Sequence, residues 1–275
     1  MSFYDWFFLE KGRTIEGMFS FAHLFSVTVA LAVAVVLAVF LGKRTRFAPK
    51  RQRLVLAVSA ASIVLVQIAK IAFLAAESDD SLIGVLIGNA PLYLCDMAIF
   101  MIPLAAVTPR GRFHDCCVDF MAVWGMLMGT MGTYFAGNIY GSHAAFSFLA
   151  VVSLLNHAIS GFTAVYLFAA KACRMEKRNI PITIGILVVI MTFVLVLDYV
   201  DGHNFMFFFT GDGTPYDTIK SLLGGRLIPY QISVYVCQCG YMAAFYAVYY
   251  LIVERILHKK SDRRSGPADS GVRDS

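Results

Sequence analysis

The stretch from Leu82 to Thr108 reads LIGVLIGNAPLYLCDMAIFMIPLAAVT, and Asp96 is its single charged residue. An apolar run of this length is what a helix needs to cross hydrocarbon. Its centre, GNAPLYLCDMAIF from Gly88 to Phe100, is interrupted by Asn89, Pro91, Cys95 and Asp96. A lone carboxylate in hydrocarbon is expensive, so Asp96 is expected to face a bundle interior and to have a partner there. Pro91 frees backbone groups on its N-terminal side, which predicts a break in the helix. Cys95 follows one turn later. A polar, broken place in an apolar segment is where function is sought first.

The rest of the chain is equally apolar. Of its 275 residues 59% are hydrophobic and 15% charged, against roughly half and a quarter in a soluble domain. This excludes a soluble enzyme and predicts an all-α, polytopic membrane bundle. The net charge of +5 does not form a nucleic-acid-binding stripe, because the basic residues fall in short loops between apolar segments. Cys95, Cys116, Cys117, Cys173, Cys237 and Cys239 lie in or at the ends of those segments, which argues against a secreted disulfide framework. No zinc spacing is present, and Cys237 and Cys239 point to different sides of a helix. No cofactor or metal is expected. Residues 1–16 lack a basic start and a cleavage site, so no signal peptide is read.

Seven segments, near 17–42, 54–76, 82–108, 115–136, 144–170, 179–200 and 227–257, are each long enough to span. Loops 43–53, 109–114 and 171–178 and the start of the C-terminal tail carry the Lys and Arg. The connection Glu77–Asp80 is acidic, and 137–143 has no basic residue. This alternation predicts seven spans with the N-terminus outside and the C-terminus in the cytoplasm. Residues 1–260 are expected to form one transmembrane domain, and 261–275 a disordered tail. Gly125 and Gly129 form a small-residue pair for close helix approach. Loop 201–226 mixes aromatics with turn residues. It reads either as a lid over a cavity or as an aromatic anchor at the headgroups.

Depth can be read along each segment at 1.5 Å per residue. Cys95, His157 and Gln67 come out about 20 Å above the cytoplasmic ends, Lys70 about 24 Å, and His23, Asp198 and Gln238 about 28 Å. The polar residues thus gather in the outer half of the membrane, with Asp119 as the exception near the inner face. Each also has a plainer reading. Cysteine is commonly a small buried hydrophobe, Asn156 and His157 suit a structural hydrogen-bond network, and Lys70 and Asp96 suit mutual neutralisation. Asp198 and His203 suit a solvated mouth. A thiol needs a base to become a nucleophile, and His157 at the same depth is the candidate. A pair in that leaflet would meet lipid ester carbonyls.

At these residues the chain resembles the bacterial YwaF-like membrane proteins and the eukaryotic transmembrane protein 164. The matching pieces are APLYLCDMAIF, the Asn156–His157 pair and DYVDGHNFMFF after the sixth segment. The resemblance implies a cysteine-dependent acyltransferase that moves fatty acyl groups between phospholipids, similar in layout to androgen-induced hydrolases of fatty acid esters. It implies Cys95 as the acyl-accepting nucleophile and His157 as the base. Tyr93, Asp96, Asn156, Asn204 and Lys70 are the candidate substrate-binding residues around them. The family pattern often carries a His two residues before the cysteine. Here that residue is Tyr93, whose phenol donates a hydrogen bond but is a poor base near neutral pH. The implied partners are membrane lipids as acyl donor and acceptor, in a bacterial cytoplasmic membrane.

Two other classes remain open on the sequence. A transporter would use the polar belt as its site and the Pro91 break as its discontinuous helix. Against it, the two halves show no internal repeat. A seven-span receptor is the other; a retinal protein is disfavoured because the last segment has no Lys for a Schiff base.

Overall fold

The computed structural model describes residues 1–264; the part of the expected tail from 265 onward lies outside the described residues. Among them the regular structure is helical. In chain order the helices are α1 (Phe3–Phe7), α2 (Phe21–Thr45), α3 (Pro49–Glu77), α4 (Leu82–Gly88), α5 (Ala98–Val107), α6 (Arg112–Tyr134), α7 (Gly137–Tyr140), α8 (Phe148–Ala169), α9 (Ile180–Asp201), α10 (Tyr216–Leu222) and α11 (Leu227–Arg264). Short 3-10 turns precede α5 at Leu94–Met97 and α9 at Lys177–Asn179. Among the described residues, six helices are long and apolar enough to cross a membrane: α2, α3, α6, α8, α9 and α11.

Local chemistry sets several of these ends. Ser20, Ser81 and Ser147 cap α2, α4 and α8, each side chain accepting a backbone N–H of the first turn. Pro49 opens α3, where its missing N–H costs nothing. Glycine at position 202 closes α9 in the left-handed conformation, φ 77°.

The core is built on α6, which is buried along most of its length. It packs chiefly against α8, and α8 also receives α2 and α3. The α6–α8 contact is backbone to backbone: a Cβ at Gly129 would lie 2.7 Å from the Cα of Gly161. Gly129 thus acts as the small-residue pattern suggests.

The segment 82–108 is interrupted, as Pro91 predicts. Helix α4 ends at Gly88, the chain runs without regular structure to Tyr93, and a 3-10 turn leads into α5. The apolar helix that follows, Leu94–Val107, is too short to cross a core of about 30 Å alone. Pro91 is the cause anticipated, but the break stands because other helices supply its hydrogen bonds. Gln67 of α3 donates to the Asn89 carbonyl at 2.9 Å. The Trp124 indole of α6 donates to the Leu94 carbonyl at 3.0 Å. Irregular backbone at membrane depth is tolerated where protein satisfies it in this way.

At the opposite end of α6, Asp119 is fully buried. It accepts the backbone N–H of Arg174 and Met175, both at 3.0 Å, and the Asn179 amide at 3.1 Å. The exception to the polar belt is therefore a clamp on the loop between α8 and α9.

Candidate active site

Beside the broken segment lies a cavity of about 840 Å³. The connections 135–147 and 202–226 both contribute to its lining, and its walls are mostly apolar: Leu94, Trp124, Met128, Phe135, Val152 and Ile219 are among them. Polar groups also reach its wall. Cys95, Asp96, Tyr93, His157 and Lys70 all line this space. Asn156 joins them through its side-chain amide, which donates to Asp96 Oδ1 at 2.7 Å.

The geometry divides the belt into satisfied and open groups. His23 uses both ring nitrogens, accepting from the Phe19 N–H at 2.9 Å and meeting the Thr133 carbonyl at 3.0 Å; it is structural. Gln67 holds the break. Asp198, far from being solvated, is fully buried and accepts the Phe205 N–H at 3.0 Å. His157 is 5% exposed and its Nδ1 has no hydrogen-bond partner, an open position it shares with Asp198 Oδ2.

The thiol of Cys95 points toward Asp96 Oδ1, 3.9 Å away, and no hydrogen bond joins it to His157. The expected thiol–imidazole contact is thus not made in this state, although both residues line one cavity. Lys70 and Asp96 likewise form no ion pair among the described residues. The carboxylate accepts the Asn156 amide instead.

Asn204 does not line the cavity; it organises the loop beside it. Its amide nitrogen reaches the Thr210 carbonyl, Thr210 Oγ1 and Asp212 Oδ2 at 2.8–2.9 Å, and its Oδ1 accepts the Phe209 N–H at 2.9 Å. That bracing drives Phe205, Met206 and Phe208 into the core and turns Phe207 onto the cavity wall. Phe207 has φ 61°, an uncommon conformation for a bulky residue, and its carbonyl accepts the Tyr230 hydroxyl at 2.6 Å. Phe207 stacks on Tyr216 of α10, which also lines the cavity. Tyr93 packs edge-on against Phe205, ring centroids 5.5 Å apart. The loop read as lid or anchor therefore contributes the aromatic rings of Phe207 and Tyr216 to the cavity wall.

Gly132 and Trp124 belong to the site, and neither was read from the sequence as a site residue. A Cβ at Gly132 would sit 2.4 Å from His157 Nδ1, so the imidazole occupies the niche that this glycine leaves. The available signal was spacing, since Gly132 lies two turns beyond Gly125 on the same face of α6.

No group of three or more His, Cys, Asp or Glu residues suited to a metal ion occurs among the described residues.

Fold and site together define a polytopic helical membrane protein with a largely apolar cavity and a thiol, an imidazole and an ammonium on its wall. Residues 18–249 match the model of the TMEM164 family, and the chain belongs to that family. No curated protein and no solved structure matches it.

Proposed function

We propose that this protein is a membrane-embedded acyltransferase, or lipid hydrolase, that moves fatty acyl groups of phospholipids through a thioester on Cys95. The observation that carries the reading is the shared cavity: a cysteine and an incompletely bonded histidine on a wall otherwise suited to acyl chains. Cys95 Sγ attacks the carbonyl carbon of a phospholipid ester while its proton passes to His157. The acyl C–O bond breaks, and the lysophospholipid leaves with that proton. An acceptor hydroxyl then attacks the thioester, gives its proton to His157, and the thiolate recovers a proton as it departs. Water in place of the acceptor gives hydrolysis. The thiol must leave Asp96 and meet the imidazole before proton transfer, and resting contacts often tighten only with substrate bound.

In this reading the broken segment 82–108 completes seven crossings, the N-terminus lies outside, and the cavity opens to the outer leaflet of a bacterial cytoplasmic membrane. The basic loops motivate the orientation. A reporter fused to the C-terminus is expected to stay inaccessible from outside intact cells; labelling there would refute the topology.

The discontinuous segment also suits a transporter. One assay separates the two. Purified protein is incubated with a phospholipid labelled on its acyl chain and an unlabelled lysophospholipid. Label is expected on the second lipid, or in free fatty acid. No redistribution across a range of acceptors would exclude the enzyme and leave the transporter.

A further inference from the structure

Lys70 sits on the face of α3 that also carries Gln67 and Leu74, and Lys70 and Leu74 both line the cavity. Gln67, one turn before it, grips the broken segment. Lys70 is half-buried, yet no ion pair and no hydrogen bond joins its ammonium to the protein among the described residues. An ammonium carries three donors, and facing a mostly apolar space with all of them unfilled is costly. The acidic side chain on the cavity wall, Asp96, takes its close contacts from Asn156 and Cys95 instead. Glu77, two turns further along α3, is taken by the Tyr4 hydroxyl.

We infer that Lys70 is the subsite for the oxyanion of the lipid that occupies the cavity, either a phospholipid phosphate or a fatty acid carboxylate. A lipid occupant is taken from the reading proposed above; the lysine site is an additional claim. The apolar walls take the acyl chain, and the ammonium donates to the oxyanion in a charge-assisted contact. This gives the cavity a polarity: the oxyanion sits at Lys70, and the chain passes toward Met128 and Phe135.

Binding without chemistry tests it. Cys95→Ala protein in a non-ionic detergent is titrated with three probes of equal chain length: lysophosphatidylcholine, oleate and monooleoylglycerol. Lys70→Met and Lys70→Arg are then introduced. Lys70→Met is expected to weaken at least one oxyanion-bearing probe by about tenfold or more and to leave the neutral glyceride unchanged. Lys70→Arg is expected to retain most of the binding. Loss confined to lysophosphatidylcholine assigns the phosphate, and loss confined to oleate assigns the carboxylate. Equal weakening of all three probes, or no change in any, would overturn the lysine site. If Lys70→Met in the otherwise wild-type chain also transfers acyl groups normally, the lysine site falls and the enzyme reading stands. If none of the three probes binds at all, both fall.

Discussion

Replacing Cys95 with alanine is expected to reduce acyl transfer to the uncatalysed background while leaving the fold intact. In the proposed mechanism the covalent step resides on the Cys95 thiol, so its removal removes the acyl carrier. Its structural share is small. Cys95 is half-buried against a space that already exists, and the alanine enlarges that space by one atom. A stability change under about 1 kcal/mol follows, because the largest losses come from new voids in packed cores. Serine at the same position is expected to leave at most a trace of activity. His157→Ala should cost nearly as much as Cys95→Ala, and the double variant no more than either, since residues acting as one unit are not additive. Thermal unfolding of each purified variant, set beside the transfer assay, checks both halves. Full activity in Cys95→Ala would remove the mechanism.

The second large effect is expected at a residue with no chemistry of its own. Gly132→Ala places a methyl group 2.3–2.4 Å from His157 Cε1 and Nδ1. In a helix interior that exchange ordinarily gains about 1 kcal/mol. Here the new methyl and the imidazole cannot share the niche, so the ring must move or the helices must part. Activity should fall as in His157→Ala, with the helical content kept. Gly185→Ala on α9 is the control, because its Cβ would meet nothing within 4 Å. It should be neutral. Equal, full activity in both variants would mean that the position of His157 does not matter.

The fold was legible where one residue type dominates a long stretch. Apolar runs marked the six long helices to within a few residues at most ends, because burial in lipid leaves little choice of composition. Pro91 announced the break but not what holds it open. The donors that satisfy the freed carbonyls, Gln67 and Trp124, come from two other helices. Sequence position says nothing about which side chains meet.

The same limit applies to the site. Depth alone grouped His23, Gln67, Cys95 and His157, although His23 is fully bonded and His157 is not. Asp198 and Asp119 looked like solvated or stray charges and prove to be buried acceptors of backbone N–H groups. Asn204 was read as a candidate substrate-binding residue, yet its amide braces a loop. What a polar residue does inside a membrane depends on whether its hydrogen bonds are already filled, and that is a property of the packed structure.

The most direct test of the account is the covalent intermediate. Protein incubated with a phospholipid of known acyl chain is quenched in acid, digested and read by mass spectrometry. The account predicts an added acyl mass on the peptide containing Cys95, released by neutral hydroxylamine as a thioester is, and absent from Cys95→Ala. Cys237 also lines the cavity, so mapping the adduct to one cysteine is part of the result. Acyl transfer that proceeds at full rate with no adduct on Cys95, or with the adduct on Cys237 alone, would contradict it.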